Sequence, residues 1–174
     1  LEGAEWPAEF WGDWVLVPLE AMPDVGSYDV RVVAVDPSLG KRDRQGDYSA
    51  IVFLGLARGL LWVAADIARR SPWQIVEDTL RMCDRWKPEA VGIEATAFQQ
   101  LLVHEFERRT AGRLGMSWPT FAIDNRVPKL LRIRRLGQYI TRRELRIMDD
   151  PGGRLLLGQL MEFPHGEHDD GPDA

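Results

Sequence analysis

Three acidic sites contain the residues of this 174-residue sequence that could do chemistry. Asp36 ends the apolar run Val30–Asp36, Glu94 ends the run Ala90–Glu94, and the pair Asp169 and Asp170 lies near the C-terminal end. A carboxylate at the end of a buried strand is costly unless something pairs with it. Several converging carboxylates make a hard-oxygen site suited to Mg²⁺ or Mn²⁺. Because two such ions can hold the attacking and the leaving oxygen of a phosphodiester, the pattern predicts phosphodiester hydrolysis.

The third acidic site leaves a choice of ligand. On a helix, Asp170 and Asp173 share a face because they are three residues apart, and Asp169 shares that face less well. We expect Asp170 to act with Asp36 and Glu94 as a catalytic metal ligand, with Asp169 and Asp173 as the alternatives. The competing interpretation is an acidic first turn of a helix, where Asp is common as a cap.

The charges of the chain are unevenly distributed. The net charge is −5, yet residues 126–146 contain eight basic residues and one acid, a balance of +7. Residues 149–174 contain seven acids and one basic residue, a balance of −6. A basic segment that can hold phosphate beside an acidic segment that can hold metal is typical of a nuclease. The competing interpretation of the basic segment is the solvated face of an amphipathic helix.

The remaining composition excludes several classes. A single cysteine, Cys83, excludes an intrachain disulfide and a multi-cysteine zinc site, and it fits a reducing compartment. No stretch approaches the roughly 18 apolar residues of a membrane span, so we expect no membrane partner. The N-terminal residues are acidic and rich in tryptophan, unlike the basic-then-apolar pattern of a signal peptide.

The elements that must position the acids can be read from apolar periodicity and turn residues. Predicted strands cover residues 30–36, 48–56, 60–67, 90–94 and 120–123, with a short extended piece at 145–148. Predicted helices cover residues 72–86 and 97–109, a long helix from Pro128, residues 154–163, and a first turn from Asp170. This order predicts an α/β fold, a mixed sheet in which antiparallel hairpin strands precede parallel strands, with helices on both faces.

Two regions are expected. Residues 1–29 alternate tryptophans with prolines and acids, which favours an extended arm or linker that pins its aromatic side chains to the domain surface. Residues 30–174 are expected to form the domain itself. Four further tryptophans are predicted to lie in or at the edge of the core: Trp62, Trp73, Trp86 and Trp118.

The order of strands and acids resembles the ribonuclease-H-like fold. Four local motifs narrow the resemblance to the nuclease domain of the large terminase subunit of tailed bacteriophages, over residues 30–174. These motifs are Asp36-Pro-Ser-Leu-Gly40, Gly46-Asp-Tyr-Ser-Ala50, Gly92-Ile-Glu-Ala95 and Asp169-Asp-Gly-Pro-Asp-Ala174.

The resemblance implies a metal-dependent endonuclease that cuts concatemeric phage DNA during genome packaging, in the cytoplasm of the host cell. It implies two Mg²⁺ or Mn²⁺ ions bridged by Asp36, with Asp47 as an outer ligand. It also implies an ATPase motor domain, a portal and a small terminase subunit as partners of the full assembly. The motor is expected to be absent from this chain, because the sequence contains no Gly-x-x-x-x-Gly-Lys-Ser/Thr phosphate loop.

Double-stranded DNA is the implied substrate, and basic residues would hold its phosphates. Lys129 and Arg132 are three residues apart at the start of a predicted helix, on the side that the resemblance places near the cut strand. Arg135 and Arg143 are further candidates for DNA binding. No base-reading motif accompanies them, which agrees with contacts mainly to the DNA backbone.

Two other functions are compatible with the same residues. A Holliday-junction resolvase or a transposase-like nuclease of this fold would share the order of acids and prefer other DNA shapes. A non-catalytic DNA-packaging scaffold would use the acids only as helix and turn caps, and it would bind no pair of ions.

Overall fold

The computed structural model describes residues 3–37, 48–94, 99–111, 118–123, 127–166 and 170–174. Within these ranges seven strands form one sheet: β1 (Leu16–Val17), β2 (Val30–Asp36), β3 (Ser49–Ala57), β4 (Leu60–Ala68), β5 (Ala90–Glu94), β6 (Thr120–Ile123) and β7 (Leu145–Met148). The described part of the chain also contains six α-helices: α1 (Pro72–Trp86), α2 (Gln99–Ala111), α3 (Lys129–Arg134), α4 (Gly137–Thr141), α5 (Pro151–Glu162) and α6 (Asp170–Asp173). None of these helices is long and apolar enough to cross a membrane.

The sheet is mixed, as the sequence predicts. Its strand order is β1-β7-β4-β3-β2-β5-β6. The strands β2, β3 and β4 pair antiparallel, whereas β5 pairs with β2, β6 with β5 and β7 with β4 in parallel. The β3–β4 hairpin closes through Arg58 and Gly59, both with positive φ (54° and 75°), which is the backbone of the tight turns that suit two-residue hairpins.

Two apolar clusters cover the two faces of the sheet. Alternate residues of a strand point to opposite faces, and here Ile51 and Phe53 pack with α1 while Ala50 and Val52 pack with α5. The helices α1 and α2 therefore lie on one face, and α3 to α6 lie on the other. Helices on both faces confirm the predicted layer arrangement.

The helix α1 begins where its sequence predicts. Ser71 is the N-cap, Pro72 is the first helical residue, and the Ser71 and Gln74 side chains form a capping box. Cys83 is fully buried, and three of the predicted core tryptophans are buried too: Trp62, Trp86 and Trp118. The prediction for Trp73 is wrong: its side chain is 59% exposed, and the Arg109 guanidinium lies 3.4 Å from the centre of its ring.

Two predicted helices differ from the structure. The long helix from Pro128 is divided into α3 and α4, because the backbone passes through a turn at Arg135 and Leu136 whose amides donate to carbonyl groups three residues back. The helix predicted for residues 154–163 begins three residues earlier, at Pro151. Asp150 caps it by accepting a hydrogen bond from the Gly153 amide (2.7 Å), a start signal that fits the preference for Asp at the N-cap and Pro at the first position.

The first part of the chain is more deeply integrated than a surface arm. Leu16 and Val17 form the edge strand β1, parallel to β7. Trp6 is 5% exposed and stacks on Phe163 with ring centres 5.5 Å apart, and Val15 is 2% exposed. The arm therefore contributes an edge strand and core side chains, which local patterning could not indicate because the partner strand lies about 130 residues later.

Candidate metal centre

Three carboxylates meet at one edge of the sheet, the edge formed by the C-terminal ends of β2 and β5. Asp36, Glu94 and Asp173 each offer an oxygen atom, and these oxygens all lie within 4.8 Å of one another. Asp36 ends β2, Glu94 ends β5, and Asp173 ends α6. Among the described residues this is the group of acids that could hold a metal ion.

Strand register brings Asp36 and Glu94 together. Val35 pairs with Ile93 in the parallel β2–β5 pair, so Asp36 and Glu94 are the next residues along neighbouring strands. Parallel neighbours are about 4.8 Å apart. Val35 and Ile93 belong to the cluster on the α1 face, so alternation turns the two carboxylates toward the opposite face, where α3 and α6 lie.

The short helix α6 reaches this edge because it packs closely on the sheet and on α5. The Gly171 amide donates to the Gln159 Oε1 atom at 3.1 Å. A Cβ atom at Gly171 would lie 2.6 Å from Ile67 Cδ1 and 2.7 Å from Gln159 Oε1, so a larger residue would have to displace the ends of these two side chains. Gln159 is 5% exposed. The predicted site residues do not include Gln159, whose signal in the sequence is a single amide side chain within the apolar stretch Leu155-Leu-Leu-Gly-Gln-Leu160.

The cluster is largely buried, with Glu94 partly exposed, and it needs positive charge. Asp36 is 6% exposed, and the side chains of Asp173 and Glu94 are 4% and 24% exposed. Carboxylates held this close in a desolvated place repel one another unless cations neutralise them. A set of carboxylate oxygens alone is the donor set that hard divalent cations such as Mg²⁺ and Mn²⁺ prefer. The residues present therefore fit such ions.

Two basic side chains of α3 already contact the cluster. Arg132 donates from Nε and Nη2 to Asp173 Oδ1 (2.9 and 2.6 Å) and from Nη2 to Asp173 Oδ2 (2.7 Å). Its Nη2 lies 3.5 Å from Glu94 Oε1, and its Nη1 donates to the Val127 carbonyl group (2.7 Å). Lys129 Nζ lies 3.5 Å from Asp173 Oδ2. The predicted phosphate-binding residues thus lie at the acids rather than apart from them.

The other predicted residues lie in different places. The backbone of Asp170 begins α6, while its side chain, Asp47 and Asp169 lie outside the described residues. Asp173, an alternative in the sequence, is the one acid of this segment whose side chain the structure describes, and it lies beside Asp36 and Glu94.

Arg135 and Arg143 are separated from each other. Arg135 is exposed and lines a largely apolar cavity of ≈ 390 Å³ beside Arg132 and Asp173. Arg143 has a positive φ of 58°, and its guanidinium lies 4.6 Å from the centre of the Trp14 ring.

Arg143 lies at the opposite ends of the strands, where β4 and β7 begin. Arg143 precedes β7, whose Leu145 pairs with Leu61 at the start of β4. Asp36 pairs with Ala50, and Ala50 pairs with Ile67 near the end of β4. Asp36 is therefore level with Ile67. Six residues of β4 separate these levels, which is about 20 Å at 3.3 Å per residue.

Comparison with solved structures places this geometry among known folds, whereas comparisons with protein-family models and with curated protein sequences gave no match. The large terminase nuclease from the thermophilic phage G20c with bound magnesium is 15% identical, with a TM-score of 0.55 over 90% of this chain and 86% of that one. A second structure of that nuclease is 14% identical, with a TM-score of 0.54 over 81% and 76%. A large terminase from another thermophilic bacteriophage is 13% identical, with a TM-score of 0.52 over 81% of this chain.

This chain spans about a third of the length of that last large terminase, 33% by alignment. At these identities the comparisons concern the fold. The mixed seven-stranded sheet with helices on both faces is a ribonuclease-H-like fold of the kind found in large terminase nucleases.

Proposed function

We propose that this chain is a divalent-metal-dependent endodeoxyribonuclease domain that cleaves concatemeric phage DNA during genome packaging. The observation that carries the proposal is the set of three carboxylates, with oxygens within 4.8 Å of one another, at the edge where β2 and β5 end. The terminase nuclease-like fold supports it, since one structural neighbour is a large terminase nuclease with bound magnesium.

Asp36, Glu94 and Asp173 would hold two Mg²⁺ or Mn²⁺ ions, with Asp36 shared between them. Bound ions of this kind supply a hydroxide nucleophile at neutral pH and stabilise the leaving oxygen of the phosphodiester. Asp36 fits the shared position because it is buried and its strand is paired on both sides, with β3 and with β5. Residues on strands hold a site more accurately than loop residues do.

The basic side chains would bind and orient the scissile phosphate. Arg132 presents a planar fork of donors, which suits two oxygens of a phosphate, and Lys129 adds a single mobile charge on the same helix turn. Both lie within hydrogen-bonding or ion-pairing distance of Asp173, so a phosphate held by them would lie beside the carboxylates. Neutralisation of the charge that develops on the phosphate is the expected catalytic contribution of these residues.

The proposed setting is the packaging assembly in the host cell cytoplasm. A motor ATPase domain, a portal and a small terminase subunit would supply most of the grip on DNA, with residues 1–29 as the end of the connection to the motor. Residues 30–174 would form the nuclease domain, to which residues 1–29 also add the edge strand β1 and core side chains.

The decisive experiment is cleavage of supercoiled plasmid DNA with Mg²⁺ or Mn²⁺. Asp36→Asn, Glu94→Gln and Asp173→Asn should each lower the rate by on the order of a thousandfold, because Lewis-acid stabilisation contributes several kcal/mol and each 1.36 kcal/mol is a tenfold change in rate. Asp149→Asn is the matched control. It removes another carboxylate from the same edge of the sheet, one that pairs with Arg154 at 2.6 Å instead of joining the cluster.

Three results would contradict the proposal. Cleavage by Asp36→Asn at the wild-type rate would exclude the metal site. Four-way junctions cut far better than linear duplex would favour a resolvase. A folded wild-type protein that binds no Mn²⁺ and cuts no DNA would favour a packaging scaffold.

A further inference from the structure

We infer that Arg132 is the resident counter-cation of the acidic cluster, and that it exchanges Asp173 for a DNA phosphate when metal binds. The inference rests on the proposed function and adds a competition between a side chain and the metal. It makes Arg132 a phosphate-binding residue that couples metal binding to substrate binding.

The Asp173 carboxylate can accept only a limited number of bonds. A carboxylate offers about four lone-pair sites on its two oxygens. In Asp173, Oδ1 accepts from Arg132 Nε and Nη2, while Oδ2 accepts from Arg132 Nη2 and lies 3.5 Å from Lys129 Nζ. These contacts use the positions through which Asp173 would bind a metal ion. A metal ion that takes Asp173 as a ligand must therefore displace Lys129 or part of the Arg132 fork, and Arg132 holds three of the four positions.

Arg132 is also held by a bond to the backbone that does not involve the carboxylates. Its Nη1 atom donates to the Val127 carbonyl group at 2.7 Å, just before α3 begins. This bond anchors one arm of the guanidinium independently of the carboxylates. When the bonds to Asp173 open, the side chain remains at the edge of the site with Nε and Nη2 available, which is the pair of donors that a phosphate accepts.

The positive charge of Arg132 also competes with that of a metal ion. With only about a sixth of its side chain exposed, Arg132 places one positive charge among three clustered carboxylates. Divalent ions would supply more positive charge than Arg132 does, and two ions with Arg132 still paired would place cations against one another. Like charges at this range disfavour each other, so metal entry favours release of the guanidinium toward an anion.

The test measures Mn²⁺ binding without DNA, by isothermal titration calorimetry of the whole chain. Arg132→Gln should tighten Mn²⁺ binding by about tenfold, because a competing charge-assisted hydrogen-bonding partner is gone. Arg132→Lys, which keeps the charge but loses the fork, should fall between wild type and Arg132→Gln. Arg134→Gln is the matched control, because it removes the same charge from the same helix but from a guanidinium bound to Glu5 at 2.9 Å; we expect its affinity within about twofold of wild type.

A purely structural role for Arg132 predicts the opposite result. If Arg132 only holds Asp173 in place, Arg132→Gln loosens the ligand and weakens Mn²⁺ binding, and that outcome overturns the inference. Should Arg132→Gln fail to fold, as circular dichroism would reveal, Arg132→Lys decides: tighter binding supports the competition and weaker or equal binding overturns it. If wild type itself binds no Mn²⁺, the proposed function fails together with the inference.

Partner exchange is tested by the binding of a short DNA duplex, followed by fluorescence anisotropy. In EDTA, Arg132 is held by Asp173, so Arg132→Gln should change DNA affinity by less than about threefold. With Ca²⁺, and with the duplex verified as uncut by gel electrophoresis, the same variant should bind about tenfold more weakly than wild type. An equal loss in both conditions would mean that Arg132 contacts phosphate permanently, and it would overturn the exchange.

Discussion

Asp36 and Glu94 illustrate how far single residues can be read from the sequence. Each follows an apolar run, and alternation places both on the same face once their strands are parallel neighbours. The position of Asp173 depends on helix rotation and on packing of Gly171 against Gln159, which the sequence leaves open. The pairing of Asp173 with Arg132 joins residues 41 positions apart. No local pattern indicates a contact of that range.

At the residue scale, Cys83 should be chemically inert in the folded protein. Burial is the main cause that raises the pKa of its thiol to about 12; the neighbouring Asp84 carboxylate adds to this rise and Lys87 opposes it. Since the thiolate is the reactive form, labelling by a disulfide reagent at pH 8 should be slow in buffer and rapid in denaturant. Labelling at equal rates in both conditions would mean that Cys83 is exposed.

Ionisation of the same thiol makes the free energy of unfolding depend on pH. An unfolded cysteine ionises near pH 8.5, whereas the folded one stays protonated to about pH 12. The unfolded state therefore binds fewer protons between these values, and the free energy of unfolding decreases as pH rises through this window. The contribution is fully present below pH 8.5. Cys83→Ala should flatten this decrease in chemical denaturation, measured at pH 8 and pH 10.

At the element scale, α5 provides two glycines with opposite expectations. A Cβ at Gly152 would overlap the Ala65 carbonyl oxygen, because the start of α5 lies directly on β4. A Cβ at Gly158, in the same helix, would meet nothing within 4 Å. Gly152→Ala should lower the free energy of unfolding by about 1–3 kcal/mol, as overpacking does. Gly158→Ala should raise it by about 0.5–1 kcal/mol.

Urea denaturation of both variants decides this prediction. A loss of stability in Gly158→Ala, or none in Gly152→Ala, would mean that α5 does not pack on β4 as described. The comparison is internally matched, since both changes add one methyl group to one helix.

Elements were predictable from sequence where local signals agreed. The Ser71–Gln74 capping box with Pro72, and the Arg58-Gly59 turn, each combine residue type with position, and the corresponding helix and hairpin are present. The division of the helix after Pro128 was not predictable from its apolar spacing. That spacing continues through the turn, and Ile133 and Ile140, seven residues apart, both lie in the core just as they would on one straight helix.

At the scale of the whole molecule, the basic segment of residues 126–146 is divided between two edges of the sheet. Lys129 and Arg132 contact the acidic cluster, whereas Arg143 lies about 20 Å away along the strands. With a net charge of −5, DNA binding should be weak, improved by divalent metal and sensitive to salt. Lys129→Ala combined with Arg132→Ala should reduce the slope of log K against log[salt] by up to about 2 in divalent metal, since each phosphate contact contributes about 0.9.

Anisotropy titrations at several salt concentrations measure that slope for two unrelated duplex sequences. The loss should be equal for both, because backbone contacts carry no sequence information. Arg143→Ala is the comparison at the distant edge, and it should change affinity in the presence of metal less than Arg132→Ala does. Tight, salt-insensitive and sequence-specific binding would contradict the proposed function and favour a site-specific enzyme.

The pairing of β1 with β7 bears on whether the protein self-associates. The outward amides of Ile147 and Asp149 donate to Val15 and Val17 carbonyl groups, both at 2.7 Å, so the first part of the chain occupies a sheet edge that would otherwise accept a strand from another molecule. A protein trimmed to residues 30–174 would bare this edge together with the Phe163 surface that Trp6 covers. We expect the trimmed protein to self-associate with increasing concentration in sedimentation velocity, while the full chain stays a single species under the same conditions.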